Sequence, residues 1–379
     1  MSHRRALKSG MRCLSLALGL TMLLSGCAGR TEDQMQNLEK HETDRALSEA
    51  EEGNLVSPTA EIVELEDGLL TVRHDGDYGF DAFLAKGGAS SDGEVIEYLA
   101  SSLLSDFNLD DWLTGAFGCS TIAVRTPEGD ALFGRNFDWQ NCEAMIVESH
   151  PEEGYASLST VNMDFITQNV GVGMMSAALN SDEIKTLAAL YAPLDGMNEA
   201  GLAVSVNMIQ DNAAIEQDTD RPDITTTTAI RLLLDKAGSV DEALELLGQY
   251  DLHGSMGMMV HFAIADSTGR SVAVEYVDND MIVIETPVLT NFYLAAGEKQ
   301  GIGTAQSHER YDMLMHRLEA TPRMTMEDVR NALDSVSKDQ FGEFESTEWS
   351  AVMNLSAGEV RYYHRENYNR GYTFRLKSR

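Results

Sequence analysis

The sequence is short of cysteine and of positive charge, and it has no apolar run long enough for an ordinary membrane span. Its 379 residues include only four cysteines, Cys13, Cys27, Cys119 and Cys142. No Cys-x-x-Cys and no paired Cys/His spacing is present, so nothing suggests a zinc or iron–sulfur site, and neither a metal nor an organic cofactor is expected. Lysine and arginine number 28 against 61 acidic residues, a net charge of −33. A field of that sign argues against nucleic acid as a partner and gives no attraction to anionic membranes. It implies a solvated acidic surface. The apolar run Cys13–Leu24 has the length of a signal-peptide core and is too short to span a bilayer as an ordinary helix. There is no internal repeat. The absence of Gly-x-Ser-x-Gly argues against a serine hydrolase built on a nucleophile elbow. What is present is a normal globular balance, 43% hydrophobic and 23% charged, enough for a sizeable core.

Arg4, Arg5, Lys8 and Arg12 surround the start of that run and supply the basic part of an export signal. Leu24-Ser25-Gly26-Cys27 then resembles a bacterial lipobox, in which Cys27 takes the lipid. Residues 1–26 are therefore expected to be a lipoprotein signal peptide and residues 27–53 a flexible acidic tether without apolar periodicity. The expected location is the bacterial cell envelope, outside the cytoplasm and lipid-anchored to a membrane. Residues 54–118 carry strand signals at Ile62–Leu65 and Leu69–Val72 around an Asp67-Gly68 turn. Val95, Ile96, Leu99, Leu103 and Leu104 then fall at helical spacing. This stretch reads as a pro-segment or a small packing subdomain. Residues 119–379 read as the catalytic domain. Ser120–Val124 and Ala131–Arg135 form a hairpin, Thr226–Ala237 and Val240–Leu247 helices, and Met258–Ala265, Ser271–Tyr276 and Met281–Glu285 strands. Two more helices, Ser307–Leu318 and Met326–Val336, precede three closing strands. The order implies an α+β fold of two sheets sandwiched by helices.

Gly118-Cys119-Ser120-Thr121 holds the chemistry. A cysteine whose α-amine is free carries both a nucleophile and a base. Reference pKa values of roughly 8.5 for the thiol and 7.7–8.0 for the amine make proton transfer between them nearly balanced. Cys119-Ser120, a short hairpin and Gly134-Arg135-Asn136-Phe137-Asp138 follow in order. Then come Asp195-Gly196-Met197-Asn198-Glu199-Ala200-Gly201-Leu202 leading to Asn207, Val288-Leu289-Thr290-Asn291, and Ser307-x-x-Arg310. This series resembles the N-terminal-nucleophile cysteine hydrolases of the choloylglycine hydrolase and penicillin V acylase group. The resemblance spans most of residues 119–379.

The resemblance implies a four-layer αββα sandwich and hydrolysis of linear, non-peptide C–N amide bonds in small N-acyl substrates, without a cofactor. It implies Cys119 as nucleophile and, through its amine, base; Arg135 against the thiolate; and Asp138 orienting the amine. Asn207 and Asn291 would serve the oxyanion and amine region, and Arg310 would complete the network. The long segment before Cys119 is more like the acid ceramidase and N-acylethanolamine amidase branch, where a pro-segment is cut off and stays bound as a subunit. That places a cut at Gly118–Cys119, with glycine allowing backbone strain at the scissile bond. Substrate class stays open among N-acyl amino acids, bile acid conjugates, penicillin V, acyl-homoserine lactones and lipid amides. Oligomeric state, homo-oligomers included, stays open too. So do an acyltransferase on the same fold and an unprocessed ligand-binding surface lipoprotein. A Cys119–Cys142 disulfide would block the chemistry.

Overall fold

The computed structural model describes residues 55–103, 118–167, 181–339 and 345–376. The expected signal peptide, the tether, Cys27 and the stretch just before Gly118 lie outside the described residues. Before the proposed nucleophile come β1 (Val63–Glu66), β2 (Leu69–Asp75), α1 (Phe80–Ala85) and α2 (Asp92–Leu103). The hairpin then appears as β3 (Gly118–Arg125) and β4 (Ala131–Trp139), both longer than the sequence implied. β5 (Ala144–His150), β6 (Ser157–Asn162), α3 (Met163–Thr167), α4 (Asp182–Leu190), β7 (Asp195–Asn198) and β8 (Leu202–Met208) follow. Next are β9 (Asp223–Thr225), α5 (Thr226–Lys236), α6 (Val240–Leu247) and β10 (Asp251–His253). β11 (Val260–Asp266), β12 (Ser271–Val277), β13 (Asp280–Glu285) and β14 (Val288–Leu289) lead to α7 (Ala305–Ala320) and α8 (Met326–Asp334). The closing strands are β15 (Ser346–Asn354), β16 (Glu359–His364) and β17 (Gly371–Arg375).

One sheet has nine strands in the order β1-β2-β5-β6-β7-β8-β11-β12-β13, and a second has six in the order β14-β3-β4-β15-β16-β17. Helices α5 and α6 pack on the larger sheet, α7 and α8 on the smaller, and β3 meets β8 between them. This is the four-layer αββα sandwich. Each outer helix starts at a hydroxyl cap, with Thr225, Ser239, Thr304 and Thr325 accepting the N–H three residues on.

The two-residue period of β3 and β4 decides which side chains share a space. Cys119, Phe133, Phe137 and Trp139 point into the core between the sheets. Ile122 and Leu132 point to the other core, under α7 and α8, with Leu314, Val329 and Leu333. Residues 119, 135 and 137 therefore lie on the inter-sheet face, and residues 118, 136 and 138 on the helix face.

The stretch ahead of Cys119 is built into this fold. β2 pairs in parallel with β5 over seven residues, Leu69 opposite Ala144 through Asp75 opposite His150. Asp92 of α2 accepts from Ser255 Oγ at 2.7 Å and from the Met256 N–H at 2.8 Å. Tyr78, Phe80, Phe83 and Tyr98 surround Tyr191, with ring centroids 5.4–6.3 Å from it. His364 and Arg370 bind Glu66 at 3.0 and 3.3 Å.

Candidate active site

The structure brings together all six residues singled out in the sequence. Cys119 is 1% exposed. Its backbone N–H donates to Asn291 Oδ1 at 2.8 Å. Arg310 Nη2 donates to the same oxygen at 2.6 Å and Arg310 Nη1 to Asp138 Oδ2 at 2.5 Å. Arg310 can reach both because Ser307, one turn earlier on α7, fixes the neighbouring loop. Ser307 Oγ accepts the Asn291 N–H at 3.0 Å, and its carbonyl accepts Thr290 Oγ1 at 3.0 Å. Residues three apart on a helix share a face, so the Ser-x-x-Arg spacing clamps the loop and the carboxylate together.

On the inter-sheet face, Arg135 is wholly buried. Its Nε donates to Asp195 Oδ2 at 3.1 Å and its Nη1 to Asn207 Oδ1 at 2.9 Å. Trp349 Nε1 donates to the same Asp195 oxygen at 2.9 Å and stacks on Phe137, centroids 3.9 Å apart. Arg135 Nη2 has no partner of normal hydrogen-bond geometry among the described residues. The guanidinium faces the Cys119 thiol. Burial pushes the thiol pKa up, the Arg135 charge pulls it down, and the Asp138 carboxylate pushes it up again; bonds from Arg135 and from the Asp138 backbone oppose that, and the net direction is upward. Burial disfavours the Arg135 charge, but Cys119 and Asp195 outweigh it and its pKa is raised.

Two expected roles differ in detail from what the uncut chain displays. Asp138 does not touch the Cys119 nitrogen; its Oδ1 accepts Thr347 Oγ1 at 2.7 Å and its Oδ2 accepts Arg310, with Lys338 Nζ at 3.8 Å. Asn291 takes the nitrogen instead. Asn207 works on Arg135, while its Nδ2 makes longer bonds, 3.4 and 3.3 Å, to the Leu289 and Thr290 carbonyls. Gly118 has no left-handed φ. A Cβ there would meet Lys338 Nζ and lie 2.8 Å from Asp138 Oδ2, so a larger residue would have to push the Lys338 side chain aside.

Asp195, Lys338, Thr347 and Trp349 were not singled out as site residues. Asp195 opens one of the quoted motifs, so its signal was available. Lys338, Thr347 and Trp349 carry none, because Thr347 and Trp349 reach the site through the β4–β15 pairing and Lys338 through its backbone bonds to Thr347. His261 lies opposite Asn207 in register, bonds Thr290 O at 2.8 Å and Glu275 at 3.1 Å, and Glu275 accepts the Leu294 and Ala295 N–H groups.

Cys119 and Cys142 are both free thiols. Burial pushes the Cys142 thiol well up, the Glu348 and Asp164 carboxylates add to the rise, and Arg365 opposes it. A thiol so disfavoured as thiolate is inert. Cys142→Ala is therefore expected to keep wild-type turnover within about twofold; a loss beyond about tenfold in a folded variant would give Cys142 a part in the chemistry.

Residues 119–292 match the model of the linear amide C–N hydrolases, choloylglycine hydrolase family. This segment belongs to that family. It is a hydrolase domain for carbon–nitrogen bonds other than peptide bonds, in linear amides. Among solved structures, a mutant conjugated bile acid hydrolase from Clostridium perfringens is similar over 68% of this chain and 92% of its own, at 19% identity and a TM-score of 0.50. That likeness shows the shared N-terminal-nucleophile hydrolase fold. The penicillin V acylase from Agrobacterium tumefaciens is similar over 65% of this chain and 83% of its own, at 17% identity and a TM-score of 0.48.

Proposed function

We propose that the protein is an exported, lipid-anchored amidohydrolase that cleaves the amide bond of a small N-acyl substrate, with Cys119 as nucleophile once the Gly118–Cys119 bond is cut. The observation that carries this reading is the convergence on one buried cysteine. Its sulfur faces Arg135 and its nitrogen is held by Asn291 and, through it, Arg310. Water added across the Gly118–Cys119 amide gives a Gly118 carboxylate and the α-amine of Cys119. The amine then takes the thiol proton, and Arg135 stabilises the thiolate. Sulfur attacks the substrate carbonyl and the carbonyl oxygen becomes an oxyanion. The Asn207 Nδ2 donors, held only by long bonds to two carbonyls, are the ones free to turn towards it. The C–N bond breaks, the α-ammonium returns its proton to the departing amine, and a thioester remains. Water, giving its proton to the α-amine, then releases the acid.

Because β2, α1 and α2 are built into the fold, cutting before Cys119 leaves residues 55–103 held in place. The two fragments are expected to co-elute on native size exclusion and to separate only in denaturant. Loss of the smaller fragment under native conditions would contradict this.

Hydrolysis is tested by incubating the processed protein with a panel of N-acyl amino acids, bile acid conjugates, penicillin V, acyl-homoserine lactones and lipid amides. Amine and free acid are expected in equal amounts from at least one class. Supplying a second amine separates the acyltransferase alternative, since acyl transfer to it in place of acid release would overturn hydrolysis.

A further inference from the structure

We propose that Lys338 is a positioning residue of the Cys119 site, whose charge lowers the proton affinity of the freed α-amine. The inference rests on cleavage at Gly118–Cys119. Lys338 follows α8 and is 9% exposed, an unusual place for an ammonium group. Its backbone is locked to β15: its N–H donates to Thr347 Oγ1 at 2.8 Å, and its carbonyl accepts the Thr347 N–H at 2.9 Å. Its side chain reaches the helix face of β3. There Nζ pairs with Glu345, stands 3.8 Å from Asp138 Oδ2, and lies where a Cβ of residue 118 would be. Covalent geometry then puts Nζ within about 6 Å of the Cys119 nitrogen.

Around that nitrogen, β4 supplies Arg135 and Asp138, β7 Asp195, α7 Arg310, the chain after α8 Lys338 and Glu345, and the turn after β16 Glu366, whose carboxylate interacts with Asp138. Cutting adds the Gly118 carboxylate. These are three cations against five anions, an excess that favours the ammonium form of the amine, and Lys338 is one of the cations that oppose it. Lys338 acts only through this field, directly and through Asp138.

Removing the cation should stabilise the ammonium. The acid limb of the kcat/KM–pH profile, which reports the free enzyme's base, should then move to higher pH. For a charge at about 6 Å in partly screened surroundings, the shift expected for Lys338→Gln is about one pH unit or more. Lys338→Arg keeps the charge and should leave the limb in place. Glu345→Gln removes the counter-anion and should move the limb the other way. The experiment measures the three profiles on full-length protein whose larger fragment has been shown by mass to start at Cys119. Opposite shifts in Lys338→Gln and Glu345→Gln, with Lys338→Arg unmoved, support the role. Processed variants that lose rate at every pH with the limb unmoved would show Lys338 to be merely structural. A wild-type chain that is active while uncut would instead overturn cleavage, and this inference with it.

Discussion

Cys119→Ala is expected to abolish amide hydrolysis, lowering kcat/KM by at least about a thousandfold, while leaving the fold intact. The loss follows from the site's construction. The only other thiol among the described residues, Cys142, is buried beside two carboxylates and stays protonated. Among the described residues, no second thiol lies beside the Arg135 guanidinium. The fold survives because deleting one buried sulfur costs about 1 kcal/mol, and the bonds of Arg135 to Asp195 and Asn207 and of Arg310 to Asp138 and Asn291 remain. The same variant should also leave Gly118–Cys119 uncut if the thiol performs the cleavage. Product release from N-acyl substrates checks the first half of the expectation, and circular dichroism and urea unfolding the second. A folded variant with wild-type turnover would remove Cys119 from the mechanism.

Arg135→Met is expected to have the largest effect on stability, about 3–5 kcal/mol, because it strands the Asp195 carboxylate. Asp195 is wholly buried, and its bonded oxygen is shared by Arg135 at 3.1 Å and Trp349 at 2.9 Å. With the guanidinium gone, Asp195 keeps one neutral donor and must take up a proton or distort the β7 end of the sheet. Asn207 Oδ1 also loses its shorter bond and keeps only the Ser205 Oγ donor at 3.4 Å. The double variant Arg135→Met/Asp195→Leu removes both charges, so it should recover much of the urea midpoint. It should not recover activity, because the thiolate still lacks its cation. Recovery of both would make Arg135 a structural ion-pair partner and nothing more.

The legible parts of the molecule were those set by short-range rules. The β3–β4 hairpin is visible from two alternating runs around Pro127-Glu128-Gly129-Asp130, and the outer helices from apolar stripes behind hydroxyl caps. β5 and β6 were not legible. Both are buried along nearly their whole length, yet they contain Glu148, Ser149, Ser157, Ser159 and Asn162, which hide the apolar pattern of buried strands. The parallel pairing of β2 with β5 was also out of reach, since it joins residues separated by the whole hairpin and obeys no local signal. In the site, residues lying in ordered motifs were found. Lys338 was missed because a lone lysine after a helix is normally a solvated charge, and only the fold turns this one inward.

The central claim is that Cys119 becomes a chain terminus. It is tested most directly by the intact mass and N-terminal sequence of the purified protein under reducing, denaturing conditions. The account predicts two fragments, the larger beginning Cys-Ser-Thr-Ile. A single chain running through Gly118–Cys119 in protein that hydrolyses its substrate at full rate would contradict it, because the thiol would then have no α-amine to take its proton.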